Sequence, residues 1–308
     1  MWQYIVRRTL LLIPIFLAVS VVIFSLIHLV PGNPIDNLLT PGMTKADERK
    51  LAEKYHLDEP VPIQYLIWFK NLLQGDLGRS IIQKRPVSQL IMYNLPFSLI
   101  LGLTSITLSF VIGVSLGIIS ASARNTIIDH AAMIIALFGV TIPSFWLGLM
   151  LILIFAVFLG WFPISGSGSL QSLVLPAVTL AMYAAGLIAR ITRVSMLEVS
   201  SKDFVVFLHA QGLSKLAIQL KHILRNALIP VITIFGLRLG WILCGAVIVE
   251  IVFGRPGLGQ LLIDGLYQRD YPVVQGTLLL LSMGVILGTF LADILYALTD
   301  PRVREKHK

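Results

Sequence analysis

Residues 9–30 read TLLLIPIFLAVSVVIFSLIHLV, a continuous apolar stretch without Asp, Glu, Lys or Arg. A transmembrane helix needs roughly 20 mostly apolar residues, so this stretch is long enough to cross a bilayer. Arg7 and Arg8 precede it, as in a secretory signal, but a signal peptide has an apolar core of only ~7–15 residues followed by a small-residue cleavage site. Here the run is longer and leads into HLVPGNP at 28–34. It therefore predicts a permanent first transmembrane helix.

The composition of the whole chain agrees with this prediction. Of its 308 residues, 56% are hydrophobic and 13% are charged, whereas soluble proteins average about 25% charged residues. The stretch 131–158 is longer than a span needs and contains Pro143, so we interpret it as one kinked or tilted helix. We predict an all-α polytopic membrane protein with six transmembrane helices, at residues 9–30, 96–121, 131–158, 173–191, 229–252 and 273–298.

The distribution of cations predicts the orientation of these helices. An even number of spans places both termini on one side, and the loop 160–172 on the other side is uncharged. By the positive-inside rule, both termini are predicted to be cytoplasmic. The net charge of +8 is thereby interpreted as a signal of orientation in the bilayer, and we predict no nucleic-acid partner. The cations on the terminal side are Arg7, Arg8, Arg124, Arg190, Arg193, Lys202, Lys215, Lys221, Arg225, Arg302, Arg304, Lys306 and Lys308.

The spans divide the chain into three parts. Residues 1–30 form the N-terminal transmembrane helix, residues 31–95 an extracytoplasmic segment with short helices at 44–57 and 61–73, and residues 96–308 a five-helix core. Cys244 is the only cysteine and lies in the fifth span. It cannot form an internal disulfide, and we expect it to act as a small buried hydrophobe.

The cytoplasmic loop at 195–230 is the largest polar interruption of the core. Ser200 or Ser201 can cap a short helix with Asp203 in its first turn, Gly212 can end that helix, and Ser214 can cap a second one. Two interpretations remain open on chemistry alone: an amphipathic hairpin held by anionic lipid, or a corner offered to a cytosolic protein. On the second helix the apolar side is predicted to comprise Leu213, Leu216, Leu220, Ile223, Leu224 and Ala227.

At this loop the residues resemble a known family. The stretches DFV at 203–205, AQGLS at 210–214 and HILRNALIP at 222–230 are similar to the EAA-type loop of binding-protein-dependent ABC importer permeases, in the peptide and nickel branch. Dipeptide, oligopeptide, glutathione and nickel permeases share this pattern. The similarity runs in order along nearly the whole chain, through WQYIVRRTLLLIP (2–14), HLVPGNP (28–34), YHLDEPVPIQY (55–65), GDLGRS (75–80), GAVIVEIVFGRPGLG (245–259), RDYPVVQG (269–276) and DILYALTDPRVR (293–304).

The resemblance implies a type I ABC importer permease in the bacterial plasma membrane. Such a subunit pairs with a second, similar permease, contacts two cytosolic ATPases and receives cargo from an extracytoplasmic binding protein. It is not an enzyme and holds no cofactor, because ATP and magnesium are bound by the ATPases. The family's loop inserts a coupling helix into a groove of the ATPase, a role that the resemblance assigns to Asp203, Ala210, Gly212, Leu213, Ser214, His222, Arg225, Asn226 and Pro230.

The loop also departs from the family pattern. Many relatives have an Arg soon after the aromatic residue and a Lys just before the glycine, where this chain has Val206 and Gln211. Phe207, Leu208 and His209 are also less usual. The first half of the loop is thus more apolar, which implies a correspondingly specialised ATPase partner.

Arg238, Glu250 and Asp293 lie inside predicted spans and are candidate pathway or gate residues, because a charge at mid-membrane is costly. For Glu250 the alternatives are a gate or docking contact and a structural pair with Arg255 or Arg269. Asp293 is expected to pair with Arg190 or Arg193. Arg238 could line the path or pair with Asp293.

Other chemistry finds little support in the sequence. The six histidines are scattered without ligand spacing, so no metal centre is predicted. GRPGLGQ at 254–260 lacks the GK[ST] ending of a phosphate-binding loop and is expected to be a re-entrant or external turn.

The predicted function is transport. Peptide is the first cargo by family frequency, with nickel, a nickel chelate or glutathione as alternatives. The alternative of another class is a self-sufficient secondary transporter or channel, which predicts paired broken helices near mid-membrane. A membrane enzyme is a more distant alternative.

Overall fold

The computed structural model describes residues 2–29, 58–239 and 242–299. Helix α1 (Trp2–Leu29) contains the predicted first span. Helix α2 (Val61–Leu73) has the predicted bounds and packs on α1 through aromatic rings, with Phe24 5.4 Å from Tyr65 and 5.7 Å from Trp68 between ring centroids. The predicted surface helix at 44–57 lies outside the described residues.

Helix α3 (Val87–Ser122) begins earlier than residue 96, where the sequence predicts the second span. Pro86 lies directly before the helix, and Pro96 is inside it. The added turns bury Val87, Leu90 and Ile91 in a core with the helices near the C-terminus. This burial stabilises a stretch that hydropathy alone does not single out.

The predicted third span is broken at Pro143. Helix α4 (Ile127–Thr141) is followed by α5 (Ser144–Leu151), which continues as a π-helical segment (Ile152–Phe158). The two parts meet at 110°. This bend is much sharper than the kink expected within a single helix. Ile142 is extended, with φ −76° and ψ 127°, because a residue before proline is disfavoured in the α region.

Helix α6 (Gln171–Ser200) is the central helix of the bundle and continues well past residue 191, where the predicted fourth span ends. It packs on α3 and on α4, and glycines lie at both of these helix contacts. A Cβ at Gly117 would lie 2.8 Å from the Ala189 carbonyl oxygen, and one at Gly186 would lie 2.2 Å from that of Ala136. Glycine is therefore required at these positions for the helices to approach so closely.

The described residues after α6 include five longer helices. These are α7 (Asp203–Ala210), α8 (Leu224–Leu239), α9 (Ile242–Val252), α10 (Leu258–Tyr267) and α11 (Tyr271–Thr299). The predicted fifth span, 229–252, overlaps α8 and α9, and residues 240–241 between them lie outside the described residues. Helix α10 was not predicted, because its ten residues follow a glycine-rich stretch typical of a turn.

The helical fold class is confirmed within the described residues, where regular structure is helical apart from one isolated bridge between Arg79 and Pro86. Four helices are long and apolar enough to cross a membrane, namely α1, α3, α6 and α11. The bent α4–α5 pair raises the number to five if it counts as one span.

Candidate functional site

The loop predicted to carry the function forms a rigid corner at the end of α6. Gly212 has φ +79°, the left-handed conformation that ends a helix and that glycine adopts without strain. The Ser214 hydroxyl accepts a hydrogen bond from the Ala217 N–H at 3.3 Å and caps the next helical turn, Lys215–Ala217. Both predictions are confirmed by this geometry.

The predicted cap of the first short helix is wrong. Helix α6 continues to Ser200, and Lys202 precedes α7 without a side-chain cap. The hydroxyls of Ser200 and Ser201 instead donate to the carbonyls of Met196 and Glu198, at 2.6 and 2.8 Å. A serine inside a helix turns back to the preceding turn in this way.

The inner side of the corner is a small apolar core. Val205 of α7 is buried together with Ile218, Ile223 and Ala227 against the last turns of α6, where Met196 and Val199 are also buried. A π-helical segment (Ile218–Ile223) leads into α8. Because a π-helix adds a residue per turn, it rotates the apolar face relative to the face predicted for a regular helix.

The outer side of the corner is also apolar, so the side predicted to be apolar is divided between two surfaces. Ile223 and Ala227 are buried, whereas Leu216 is 66% exposed and Leu220 46% exposed. On α7, Val206 and Phe207 are exposed as well. We call this surface the corner patch; it consists of Phe204, Val206, Phe207, Leu213, Leu216 and Leu220.

The remaining predicted loop residues lie around the corner patch. Asp203 and Ala210 are the exposed ends of α7. His222 is half-buried in the π segment, and its carbonyl accepts a hydrogen bond from the Asn226 amide at 2.8 Å. Arg225 is exposed in the first turn of α8, and Pro230 is exposed inside that helix, which runs through it.

Glu250 is completely buried at the point where α9 meets the start of α10. Its carboxylate accepts hydrogen bonds from the Ser98 hydroxyl at 2.6 Å and from the Gly259 N–H at 2.7 Å. Ser98 also accepts from the Leu258 N–H at 2.8 Å. The direct hydrogen bonds come from a hydroxyl and a helix N-terminus, as the helix dipole favours. Arg255, one of the two cations predicted as the structural partner, is buried nearby and attracts the carboxylate electrostatically.

For the other two candidate pathway residues, the structure describes the position in a helix and not the side chain. Arg238 lies near the end of α8 and Asp293 in the last third of α11, but their side chains are outside the described part of the structure. Arg193, one expected partner of Asp293, is instead bound to Asp129.

The Asp129–Arg193 pair was missed by the sequence analysis. Two parallel bonds join the groups, from Arg193 Nε to Asp129 Oδ1 and from NH2 to Oδ2, each 2.8 Å long. The Ser120 hydroxyl and the Asn125 N–H also donate to this carboxylate. Thr126 three residues before Asp129 is a local signal for the start of α4, but the distant arginine leaves no signal in the sequence.

Asp270 is a third buried carboxylate, after Glu250 and Asp129. It joins two of the stretches that resemble the permease family. Asp270, from RDYPVVQG, accepts hydrogen bonds from the Ser80 hydroxyl at 2.5 Å and from the N–H groups of Ile81 and Ile82 at 3.1 and 3.3 Å. Ser80 ends GDLGRS. The segment before α3 is therefore fastened to the start of α11.

A cavity of about 430 Å³ lies beside the break at Pro143, between α3, α4, α5, α6 and α9. Its walls are mainly apolar and include the hydroxyls of Ser105, Ser109 and Thr179 and the thiol of Cys244. Cys244 is half-buried at this cavity rather than fully enclosed. Among the described residues, no group of three or more His, Cys, Asp or Glu side chains could hold a metal ion.

Comparison with known proteins identifies the family. Residues 113–305 match the family described as binding-protein-dependent transport system inner membrane component, and residues 1–102 match the N-terminal family of the same systems. The oligopeptide transport system permease protein AppB of Bacillus subtilis is 41% identical over 98% of this chain and 99% of its own length. The glutathione transport system permease protein GsiC of Escherichia coli K12 is 40% identical over 99% of this chain and its full length.

Solved structures agree on the fold. Two inward-facing structures of the MetNI methionine ABC transporter match 69% of this chain and 97% of theirs, with TM-scores of 0.56 and 0.58 at 24% and 23% identity. Together with the full-length relatives and the apolar helices, this similarity shows that the chain is a multi-pass inner-membrane permease subunit and belongs to the binding-protein-dependent transport system inner membrane component family.

Proposed function

We propose that this chain forms half of the translocation path of an ATP-driven importer. A second, similar permease forms the other half, two cytosolic ATPases bind at the corner, and an extracytoplasmic binding protein delivers the cargo. The chain performs no chemistry itself, because ATP and magnesium belong to the ATPases. Membership of the family of inner-membrane components of binding-protein-dependent systems supports this assignment.

The proposed topology has six spans and cytoplasmic termini. Helices α1, α3, α6 and α11 supply four spans. The bent α4–α5 pair and the α8–α9 pair each supply one more, which gives the predicted six. The corner then lies in the cytoplasm together with Lys202, Lys215, Lys221 and Arg225, as the positive-inside rule requires.

The observation that carries the proposal is the corner patch. Six apolar side chains are exposed on a corner whose shape is fixed by Gly212, by the Ser214 cap and by the apolar core beneath it. Several large apolar side chains exposed close together in the sequence, outside the long apolar helices, are typical of a protein-binding site. We propose that it enters an ATPase groove, with Asp203, Ala210, His222, Arg225, Asn226 and Pro230 shaping its edges.

For the cargo we propose a peptide. Two relatives that match along the whole chain transport an oligopeptide and glutathione, which is itself a short peptide. Nickel or a nickel chelate is the second candidate, from the wider family. The cavity beside Pro143 is lined by uncharged residues, which suits contact with the uncharged parts of a peptide.

A self-sufficient secondary transporter is the second candidate function, because the break at Pro143 resembles the discontinuous helices of such proteins. In that case the corner patch would contact lipid and no ATPase. The two functions differ in whether the chain needs ATPases to move cargo.

The test uses the complete complex in liposomes, with binding protein loaded with peptide, glutathione or nickel in separate assays. We expect ATP-dependent uptake that stops when the ATPases are omitted. Gly212→Pro forces φ to about −65° where +79° is needed, and Leu213→Asp places a charge in the corner patch. Each change should leave the complex assembled, yet lower uptake about tenfold or more relative to ATP hydrolysis, in the range of roughly 5- to 150-fold typical of coupled sites.

Matched controls exist in another loop. Gly166 also has a positive φ, +105°, with nothing near its missing Cβ, and Leu170 is 85% exposed. Gly166→Pro and Leu170→Asp should therefore leave the ratio of uptake to ATP hydrolysis unchanged. Normal coupling in Gly212→Pro and Leu213→Asp would reject the corner as the ATPase contact, and uptake without ATPases would support the secondary transporter.

A further inference from the structure

Three helices of the bundle are packed as one body. On α3, a Cβ at Gly113 would lie 2.7 Å from the Ala185 carbonyl oxygen of α6, and the contact continues one turn later at Gly117. On α4, a Cβ at Gly139 would lie 2.5 Å from the Met182 carbonyl oxygen of the same helix. Backbone contacts this close leave little room for α3, α4 and α6 to slide past one another.

The Asp129–Arg193 pair closes this body at the end next to the corner. The Asp129 carboxylate is in the first turn of α4, and its donors come from Ser120 of α3, Asn125 of the connecting loop and Arg193 of α6. One carboxylate thus joins the same three helices. The Asp129 side chain is 4% exposed and the Arg193 side chain 24% exposed, so water screens this ion pair only in part.

The corner contacts this end of the body directly. Met196 is less than one turn after Arg193 and lies in the apolar core of the corner, on which Ile118 and Ala121 of α3 also pack. The Ser122 hydroxyl donates to the Gln219 side chain at 3.2 Å. Only Ser201 and Lys202 separate α6 from α7. A displacement of the corner therefore acts first on α6 and α3.

Among the described residues, α4 has no contact with the corner as extensive as those of α6 and α3. Nevertheless, α4 leads to the break at Pro143 and to the cavity. Its glycine contacts with α6, at Gly139 and Gly186, lie two or more turns from its first turn. Near the corner, the bidentate bond to Arg193 is what fastens α4 to α6. Without it, the bonds that hold the start of α4 run to the Ser120 hydroxyl of α3 and to the connecting loop, through the Asn125 N–H and the Thr126 cap.

We propose that Asp129 and Arg193 are positioning residues, which make α4 follow α6 when the corner moves and so pass that movement to the break at Pro143. This inference rests on the proposed function of the corner. It adds a specific link between the ATPase contact and the cavity. The pair neither touches the ATPase nor lines the cavity.

The experiment measures how many cargo molecules enter per ATP hydrolysed, in the complete complex in liposomes. Asp129→Asn keeps the size of the side chain and removes its charge. Because Arg193 is 24% exposed, water can solvate the freed guanidinium, and we expect the complex to assemble. The ratio should fall about tenfold, within the roughly 5- to 150-fold typical of coupled sites. Arg193→Lys keeps the charge but loses the two parallel bonds, so its ratio should lie between those of Asp129→Asn and the unchanged protein.

The matched control is Arg124→Gln, which removes an exposed charge from the same loop and should leave the ratio unchanged. A purely structural role for the pair would lower the amount of complex, and with it uptake and ATP hydrolysis in proportion, at a constant ratio. A constant ratio in Asp129→Asn overturns the inference. If Gly212→Pro still uncouples the complex in that case, the proposed function stands, whereas normal coupling in both variants rejects the two together.

Discussion

At the scale of single residues, three buried carboxylates show how this apolar chain accommodates charge. Glu250 is held by Ser98 and the start of α10, Asp270 by Ser80 and two backbone N–H groups, and Asp129 by Ser120, Asn125 and Arg193. Each binds groups from distant parts of the chain. Since a buried charge is tolerated only when its hydrogen bonds are satisfied, these residues fix tertiary contacts.

The Glu250 site leads to a prediction about Gly257. Its φ is 170°, an extended conformation open to any residue, but an added Cβ would lie 2.2 Å from the Glu250 carboxyl carbon. Gly257→Ala should therefore push the carboxylate from its donors and destabilise the protein by about 1–3 kcal/mol, the usual cost of an unsatisfied buried group.

Thermal unfolding in detergent measures this effect. Gly168→Ala is the matched control, because nothing lies within 4 Å of its added Cβ. An unchanged midpoint for Gly257→Ala would show that Glu250 does not hold the start of α10.

Some residue roles were predictable and others were not. Gly212 and Ser214 follow local rules of helix ends, and the structure confirms both. Ser200 and Ser201 obey the same rules in sequence, but burial of Met196 and Val199 extends α6 to Ser200, and Ser201 follows its end. Partners such as Arg193 for Asp129 depend on helix packing and leave no local pattern.

At the scale of elements, hydropathy located the long helices better than their ends and breaks. The position of the break at Pro143 was visible in the sequence, whereas its angle of 110° depends on how α5 packs against α6 and α9. The existence of α10 was missed. This short helix is stabilised by burial in a larger bundle, which single-segment periodicity does not measure.

Asp270 leads to a prediction about the segment before α3. Asp270→Ala removes three hydrogen bonds to residues 80–82, each worth about 1 kcal/mol. The segment should open more often, so trypsin should cleave the detergent-solubilised protein at the exposed Arg79 and Lys84 about tenfold faster or more, because cleavage follows the population of the open form.

Asp264→Ala is the control for this measurement, since Asp264 is exposed on α10 and accepts a hydrogen bond from Gln260 of the same helix, at 2.8 Å. It should be cleaved at the original rate. Equal rates for Asp270→Ala and the unchanged protein would mean that other contacts hold the segment.

At the scale of the whole molecule, the family and the helical architecture were accessible from sequence, because both are distributed along the entire chain. The number of spans is harder to derive. Two of the six proposed spans are made of helix pairs, α4–α5 and α8–α9, and no pattern within one helix shows whether such a pair crosses the bilayer or turns back.

The six-span topology predicts that both termini face the cytoplasm. Epitope tags at the N- and C-terminus should be digested by protease in inside-out vesicles and protected in right-side-out vesicles. A tag inserted at Gly166–Gly168, in the uncharged loop, should show the opposite pattern. Termini on opposite sides would require an odd number of spans and would exclude the proposed arrangement.

The length of α6 has a mechanical consequence. Its 30 residues extend about 45 Å at 1.5 Å per residue, and its glycine contacts with α3 and α4 lie near the middle. Because α3, α4 and α6 are packed as one body, the three helices tilt together. A tilt of about 10° moves each end by roughly 4 Å for a rod of this length. The corner patch follows one end of α6. A tilt about the middle that shifts the corner by the width of a side chain therefore shifts the opposite end of α6 by a similar distance in the opposite direction.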